Sequence, residues 1–245
     1  MRLEEVARAL EEFGYTPMTS PAVGRLLYEL SLSPDVDELL ELGTGHGTST
    51  AYIAAALDEK GAGHLTTIDR PSALERDPNV HQVLGRLGLE RWVTPVQAVS
   101  YNLVLMRMLE EAVEDDATPP CLDFCFIDGA HTWETDGFAF LLVDRLLRAR
   151  RWIVLDDVEW SFADSPTLRD TERVQAMTQE ERSEHQVHKI VDLLIRTTAG
   201  YEVRLLGNIA VAFKGAPDAA EFQRLHSSAA AFLHELATKR AAAAN

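Results

Sequence analysis

Residues 40–50 read LELGTGHGTST, which places one carboxylate, three alternating glycines and four hydroxyls in a single turn. Glycine lets a backbone turn sharply and approach a ligand closely, so Gly43, Gly45 and Gly47 mark a binding loop. The spacing is not that of a dinucleotide fingerprint, because Thr48 stands where the third glycine belongs, and no Lys-Ser/Thr pair follows to make a phosphate loop. Glu41 argues further against phosphate: a carboxylate at a strand end beside a helix N-terminus repels pyrophosphate and attracts an ammonium or hydroxyl group. A cofactor without phosphates is expected there. A second group of acids ends two other apolar runs: Asp128 closes LDFCFID, and Asp156 and Asp157 close RWIVLDD. Like charges that converge are costly unless something positive lies between them, and a hard divalent cation such as Mg²⁺ answers that need.

The elements that must carry these residues are legible as alternating patterns. Short runs rich in leucine, aromatic or β-branched residues at 37–42, 64–69, 92–98, 122–128 and 151–157 read as strands. Helical stretches lie between them at 48–60, 79–89, 101–115 and 135–149. This alternation predicts an α/β fold with a parallel sheet covered on both faces. Residues 201–207 and 208–215 flank a Gly-Asn pair, a hairpin signal that adds an antiparallel ending. The whole chain, 1–245, is expected to form a single domain, with N-terminal helices over 1–36. Residues 158–183, a long polar connection after the fifth strand, suit either a substrate lid or a solvated insertion. Residues 218–245 carry Phe222, Leu225, Ala229, Phe232 and Leu236 on one helical stripe, which packs on its own domain or serves a homodimer contact.

Composition removes several classes. With 23 basic against 39 acidic residues, the formal charge of −16 repels nucleic acid and anionic lipid. No run approaches the ~18 apolar residues of a membrane span, and neither export nor anchoring is indicated. Cys121 and Cys125 fall on one face of a strand and read as reduced core residues, consistent with a cytoplasmic protein.

The loop ELGTGHGTS resembles the Glu-x-Gly-x-Gly-x-Gly turn of class I SAM-dependent methyltransferases, and the pattern over residues 17–215 is similar to their fold, a Rossmann-like seven-stranded sheet with helices on both faces and an antiparallel last strand. The upstream TSPAVGRLLYELSLS is similar to the entry helix of the small-molecule O-methyltransferases in that superfamily. S-adenosylmethionine (SAM) is a nucleoside with an ammonium, a carboxylate and a sulfonium, and so fits a phosphate-free site. The resemblance implies that Gly43, Gly45, Gly47 and Thr48 lie against its methionine moiety beside Glu41. It further implies that Asp69 accepts from the ribose hydroxyls, that Ser100 or the backbone of Ala98 and Val99 frames adenine, and that Asp128 borders the same cofactor.

The strand-end acids resemble those of the catechol-type O-methyltransferases and of natural-product enzymes similar to the macrolide-sugar and aminocoumarin-sugar O-methyltransferases. That resemblance implies a metal on Asp128, Asp156 and Asp157 facing the hydroxyls of a small-molecule substrate. His131 falls where the catechol-type enzymes carry a lysine base. A histidine titrates near pH ~6.5 and can accept a hydroxyl proton. His131 could equally be a further metal ligand or a helix cap. Trp133, Glu134, Trp160 and Phe162 border the crevice, whereas His46, His185 and His188 are assigned no ligand. Three alternatives stay open: a metal-independent N- or O-methyltransferase of this fold, a SAM-binding protein similar to the cephalosporin hydroxylases, and a dinucleotide-binding oxidoreductase, which Thr48 and Glu41 disfavour.

Overall fold

The computed structural model describes residues 1–114 and 121–216. The expected helix over 218–245 lies outside the described residues. Two helices, α1 (Leu3–Glu11) and α2 (Pro21–Ser31), precede the sheet. Ser20 caps α2 by accepting the Val23 N–H, and Pro21 opens it, so this start follows from local chemistry. Then follow β1 (Glu38–Leu42), α3 (Thr48–Lys60), β2 (His64–Asp69), α4 (Val80–Leu87), β3 (Val93–Gln97), α5 (Tyr101–Glu114) and β4 (Leu122–Ile127).

The helix expected over 135–149 divides. A π turn over Trp133–Gly137 leads into α6 (Phe138–Leu146), and strand β5 (Leu147–Leu155) begins before the RWIVLDD run. The early start has a cause. Leu147 pairs with Leu122, and Arg148 and Arg151 both reach the buried Asp123 carboxylate at 2.8 Å, which draws the chain into the sheet across a register shift. The hairpin strands are β6 (Tyr201–Leu206) and β7 (Ile209–Lys214).

The seven strands run in the order β3-β2-β1-β4-β5-β7-β6. β1 through β5 are mutually parallel, and β7 is antiparallel to both β5 and β6. β1 lies between β2 and β4, so successive connections leave it toward opposite edges. The crevice outside the carboxyl ends of β1 and β4 is therefore the switch point where α/β sheets bind ligands.

Alternation along the strands feeds two cores. Leu39, Phe124, Phe126 and Val154 pack with α1 to α4 on one face, and Leu40, Leu42, Cys125, Ile127 and Ile153 pack with α5 and α6 on the other. Cys125 is buried, Cys121 is half-buried, and both are free thiols. After β5, residues 158–183 hold two short helices, α7 (Glu172–Gln175) and α8 (Gln179–Ser183), anchored by buried Val158, Phe162 and Val174. Helix α9 (Gln186–Lys189) then runs into a π turn over Ile190–Ile195. Among the described residues no helix is long and apolar enough to cross a membrane.

Candidate active site

The glycine loop leaves β1 with Gly43, Gly45 and Gly47 all at positive φ (98°, 56° and 91°). Gly43 is constrained twice, because a Cβ there would lie 2.6 Å from the Asp128 carbonyl carbon and in collision with its oxygen. The loop is thus pressed against the end of β4, and Asp128 N–H donates to Leu42 at 2.8 Å. Gly47 ends the loop, and Thr48 begins α3.

Asp69, at the end of β2, holds this loop. Its Oδ2 accepts from the Thr44 and Gly45 amides at 3.0 and 2.9 Å, and its Oδ1 accepts from Arg70 N–H at 2.6 Å. Ala98 N–H donates to the Asp69 carbonyl at 2.9 Å, which brings the Ala98–Ser100 segment beside it. Ser100 is half-buried at the start of α5, whereas Val99 is exposed.

Glu41 takes a different place from the ligand contact expected of it. Its side chain is wholly buried beneath the loop, where Oε2 accepts from Thr50 at 2.5 Å and from Thr67 at 2.6 Å. Oε1 has no hydrogen-bond partner of normal geometry, although the Ser49 hydroxyl is close enough to favour the charged form. Burial, with the Asp69 charge as a smaller contribution, pushes the carboxyl up to about 7 against the pull of these hydroxyls.

The N-terminal segment closes over the same loop. Tyr15 shares a hydrogen bond with Thr48 at 2.6 Å and packs on the His46 ring at 4.8 Å, while His46 Nδ1 bonds the Pro78 carbonyl at 2.6 Å. Neither Tyr15 nor His46 carries a sequence signal for this role.

The second constellation converges across the crevice. Ligand atoms of Asp128, His131 and Asp157 lie within 4.8 Å of one another, with His131 Nε2 at 3.9 Å from Asp128 Oδ1 and 3.6 Å from Asp157 Oδ2. These spacings exceed a hydrogen bond. Donors on one ion at ~2.1 Å lie about 3 Å apart when adjacent and ~4 Å when opposite, so slight contraction would let the three share a cation. Asp156 is not in that gathering, because its Oδ1 turns back to accept the Asp157 amide at 2.7 Å.

The acids strain against one another. Burial first, then Asp156 and Asp157, hold the Asp128 carboxyl well above the usual range. Burial and Asp157 push Asp156 up to about 7, opposed by the Asp157 amide. About a fifth of the Asp128 side chain remains accessible from the crevice, so the group is shielded without being sealed.

Neighbouring elements aim these groups. Asp157 and His131 sit in the left-handed region at φ 57° and 55°. Asn208, in the β6–β7 turn, donates from Nδ2 to Asp157 Oδ1 at 2.7 Å and accepts the Val158 and Glu159 amides. Trp160 packs against the His131 ring at 5.3 Å and against buried Phe162 at 4.9 Å. Trp133 and Glu134 are exposed at the rim, where Trp133 N–H donates to Gln186. His185 bonds the Glu159 carbonyl and His188 faces Asp192, so neither joins the cluster. The Gly-Asn pair was visible as a turn, but its use as the brace of Asp157 was not.

This crevice, between a glycine loop and a carboxylate-imidazole cluster at the switch point of a β3-β2-β1-β4-β5-β7-β6 sheet, belongs to the class I methyltransferase fold. Residues 40–158 match the family model described as a methyltransferase domain, and that match begins just before the loop and ends just after Asp157. That segment, just under half of the chain, is thus similar to a methyltransferase domain. It is 32% identical over 139 residues to a catechol O-methyltransferase of Niastella koreensis, and the aligned part spans 57% of each chain. The fold is similar to that of the O-methyltransferase TomG from Streptomyces achromogenes, solved in complex with SAM (TM-score 0.58, 19% identity, 87% of this chain and 89% of that one). It is likewise similar to an O-methyltransferase from Bacillus cereus in complex with SAH (TM-score 0.55, 19% identity, 86% and 90%).

Proposed function

We propose that the protein is a SAM-dependent O-methyltransferase that acts on a hydroxyl of a small molecule, such as a natural-product intermediate, with the help of Mg²⁺ or a similar divalent cation. One observation carries this reading: the tight approach of Gly43 to the Asp128 backbone joins a phosphate-free nucleoside loop to a cluster able to hold a cation. The Niastella koreensis relative, named a catechol O-methyltransferase, supports the same reaction class.

SAM, when bound, supplies an electrophilic sulfonium methyl. The side-chain-free faces of Gly43, Gly45 and Gly47, together with Thr48, Asp69 and Ser100, would hold it, while Glu41 supports the loop from below. A divalent cation, when bound, lowers the pKa of a coordinated hydroxyl and orients it. Asp128 and Asp157 would hold that cation, with Asp156 adding negative charge behind them. His131 faces the same point and accepts the hydroxyl proton at Nε2, with Trp160 keeping the imidazole plane in place. Residues 158–183 act as a lid that excludes water.

Calorimetric titration of the full chain with SAM and with NADH, followed by methyl transfer from SAM to catechol with and without EDTA, tests this. SAM binding and EDTA-sensitive methylation are expected. Binding of NADH in place of SAM would overturn the reading at its root, and EDTA-resistant methylation would remove its metal half.

A further inference from the structure

We propose that Asp136 is a positioning residue for the acceptor side of the site, holding the loop 128–131 so that the Asp128 carboxylate and the His131 imidazole face one point. The inference deepens the methyltransferase reading above and rests on it.

Asp136 lies on the π turn Trp133–Gly137, is 1% exposed and belongs to none of the groups already described. Its Oδ1 accepts a hydrogen bond from the Tyr101 hydroxyl on α5 and another from the Ala130 amide at 3.4 Å. Tyr101 in turn packs on Gly129, where a Cβ would lie 2.7 Å from the phenol ring. Three successive loop residues after Asp128 are thereby fixed. Gly129 is pressed against the ring, Ala130 is bonded to the carboxylate, and His131 is held at φ 55°, a conformation that a non-glycine residue keeps only under constraint.

Burying the Asp136 carboxylate is costly in itself. It forms no ion pair with lysine or arginine among the described residues, and burial raises its carboxyl against the pull of Tyr101, His131 and the two loop amides. An unpaired buried carboxylate is a poor stabiliser, whereas an apolar residue would fill the space at less cost. What an apolar residue would not supply is an acceptor that gathers donors from α5 and from the loop that follows Asp128. A group that orients metal ligands in this way ordinarily controls metal affinity without touching the ion.

The test compares wild type, Asp136→Ala and Asp136→Asn as full chains. Asn keeps an acceptor oxygen for Tyr101 and Ala130, and Ala removes it. Mn²⁺ alone is titrated by electron paramagnetic resonance, SAM affinity is measured by calorimetry, and the thermal midpoint is recorded. We expect Asp136→Ala to weaken Mn²⁺ binding at least ~10-fold, as loss of a ligand-orienting partner does, with Asp136→Asn close to wild type and SAM affinity unchanged in both. Equal Mn²⁺ binding by wild type and Asp136→Ala overturns the proposal. So does parallel loss of Mn²⁺ and SAM binding with a lowered midpoint, which marks a merely structural residue. Failure of wild type to bind Mn²⁺ counts against the metal reading instead. The proposal is then decided by the His131 Cε1–H resonance, assigned through its loss in His131→Gln. It should move in Asp136→Ala and not in Asp136→Asn, and an unmoved resonance refutes the positioning role.

Discussion

Replacing Glu41 by glutamine should stabilise the protein at alkaline pH and leave it unchanged at acid pH. Burial lifts the Glu41 carboxyl from 4.5 in the unfolded chain to about 7 in the folded one. One pKa unit corresponds to ~1.4 kcal/mol, so ionising this group in place costs about 3 kcal/mol of folding stability. The sign follows from the direction of the shift. A raised folded-state pKa means that the native state binds more protons, so this stability is fully present below about pH 4.5 and lost as pH rises through about 7. Glutamine keeps an oxygen for the Thr50 and Thr67 hydroxyls and stays neutral throughout. The variant should match wild type near pH ~4.5 and exceed it by up to ~3 kcal/mol at pH ~8. At ~2–4 °C per kcal/mol for a chain of this size, the gain in thermal midpoint approaches ~6–12 °C. Asp156 is also raised, but its contribution is common to both proteins and cancels, whereas Asp128, which the Glu41 charge helps to raise, is relieved in the variant and adds to the gain in the same direction. Urea or thermal unfolding of both proteins across this pH range is the assay. A stability difference that does not change with pH would show that Glu41 is not buried as a frustrated acid, and the electrostatic account of the loop would fail.

Three further outcomes are expected. Gly43→Ala puts a Cβ against the Asp128 carbonyl at φ 98°, and the combined strain and overpacking should cost about 3 kcal/mol or more in urea unfolding and abolish SAM binding by calorimetry. Asp157→Asn removes a partly exposed charge that raises both Asp128 and Asp156. In EDTA it should raise stability by on the order of 0.5–1 kcal/mol while Mn²⁺ affinity falls at least ~10-fold, and a loss of stability would refute the repulsion argument. Tyr15→Phe deletes the 2.6 Å bond to Thr48. About 1 kcal/mol of stability should disappear, read as a lowered thermal midpoint, with the ring contact to His46 retained.

The sheet was legible because strand and helix periods alternate cleanly and local caps agree with them, as Ser20 and Pro21 do at α2. Legibility failed where a distant partner overrides local preference. The run ending at residue 149 is helical by pattern, yet Asp123, far away in sequence, collects Arg148 and Arg151 and converts its last residues to strand. The glycine turn was readable because positive φ demands glycine three times within five residues. Its acid was readable as a residue but not as a position. Nothing in ELGTGHGTS says that Thr50 and Thr67 draw Glu41 under the loop rather than toward the crevice. For the same reason Asp136, Tyr101 and Asn208 escaped notice: each acts through a hydrogen bond to an element remote in sequence, and no spacing rule encodes that.

The acids also explain why the two halves of the site belong together. Glu41, Asp128, Asp136 and Asp156 are all raised, principally by burial, at the carboxyl ends of the strands and in the turn that follows β4. Burying several carboxylates without counter-charges works against folding, and hydrophobic packing elsewhere must offset it. Such an arrangement gains free energy when ligands bring the missing positive charge, and it does so in proportion to the repulsion relieved. The cofactor reading and the metal reading therefore rest on one electrostatic deficit rather than two. Because Gly43 packs directly on Asp128, a cation held at the second cluster would act on the same backbone that shapes the first.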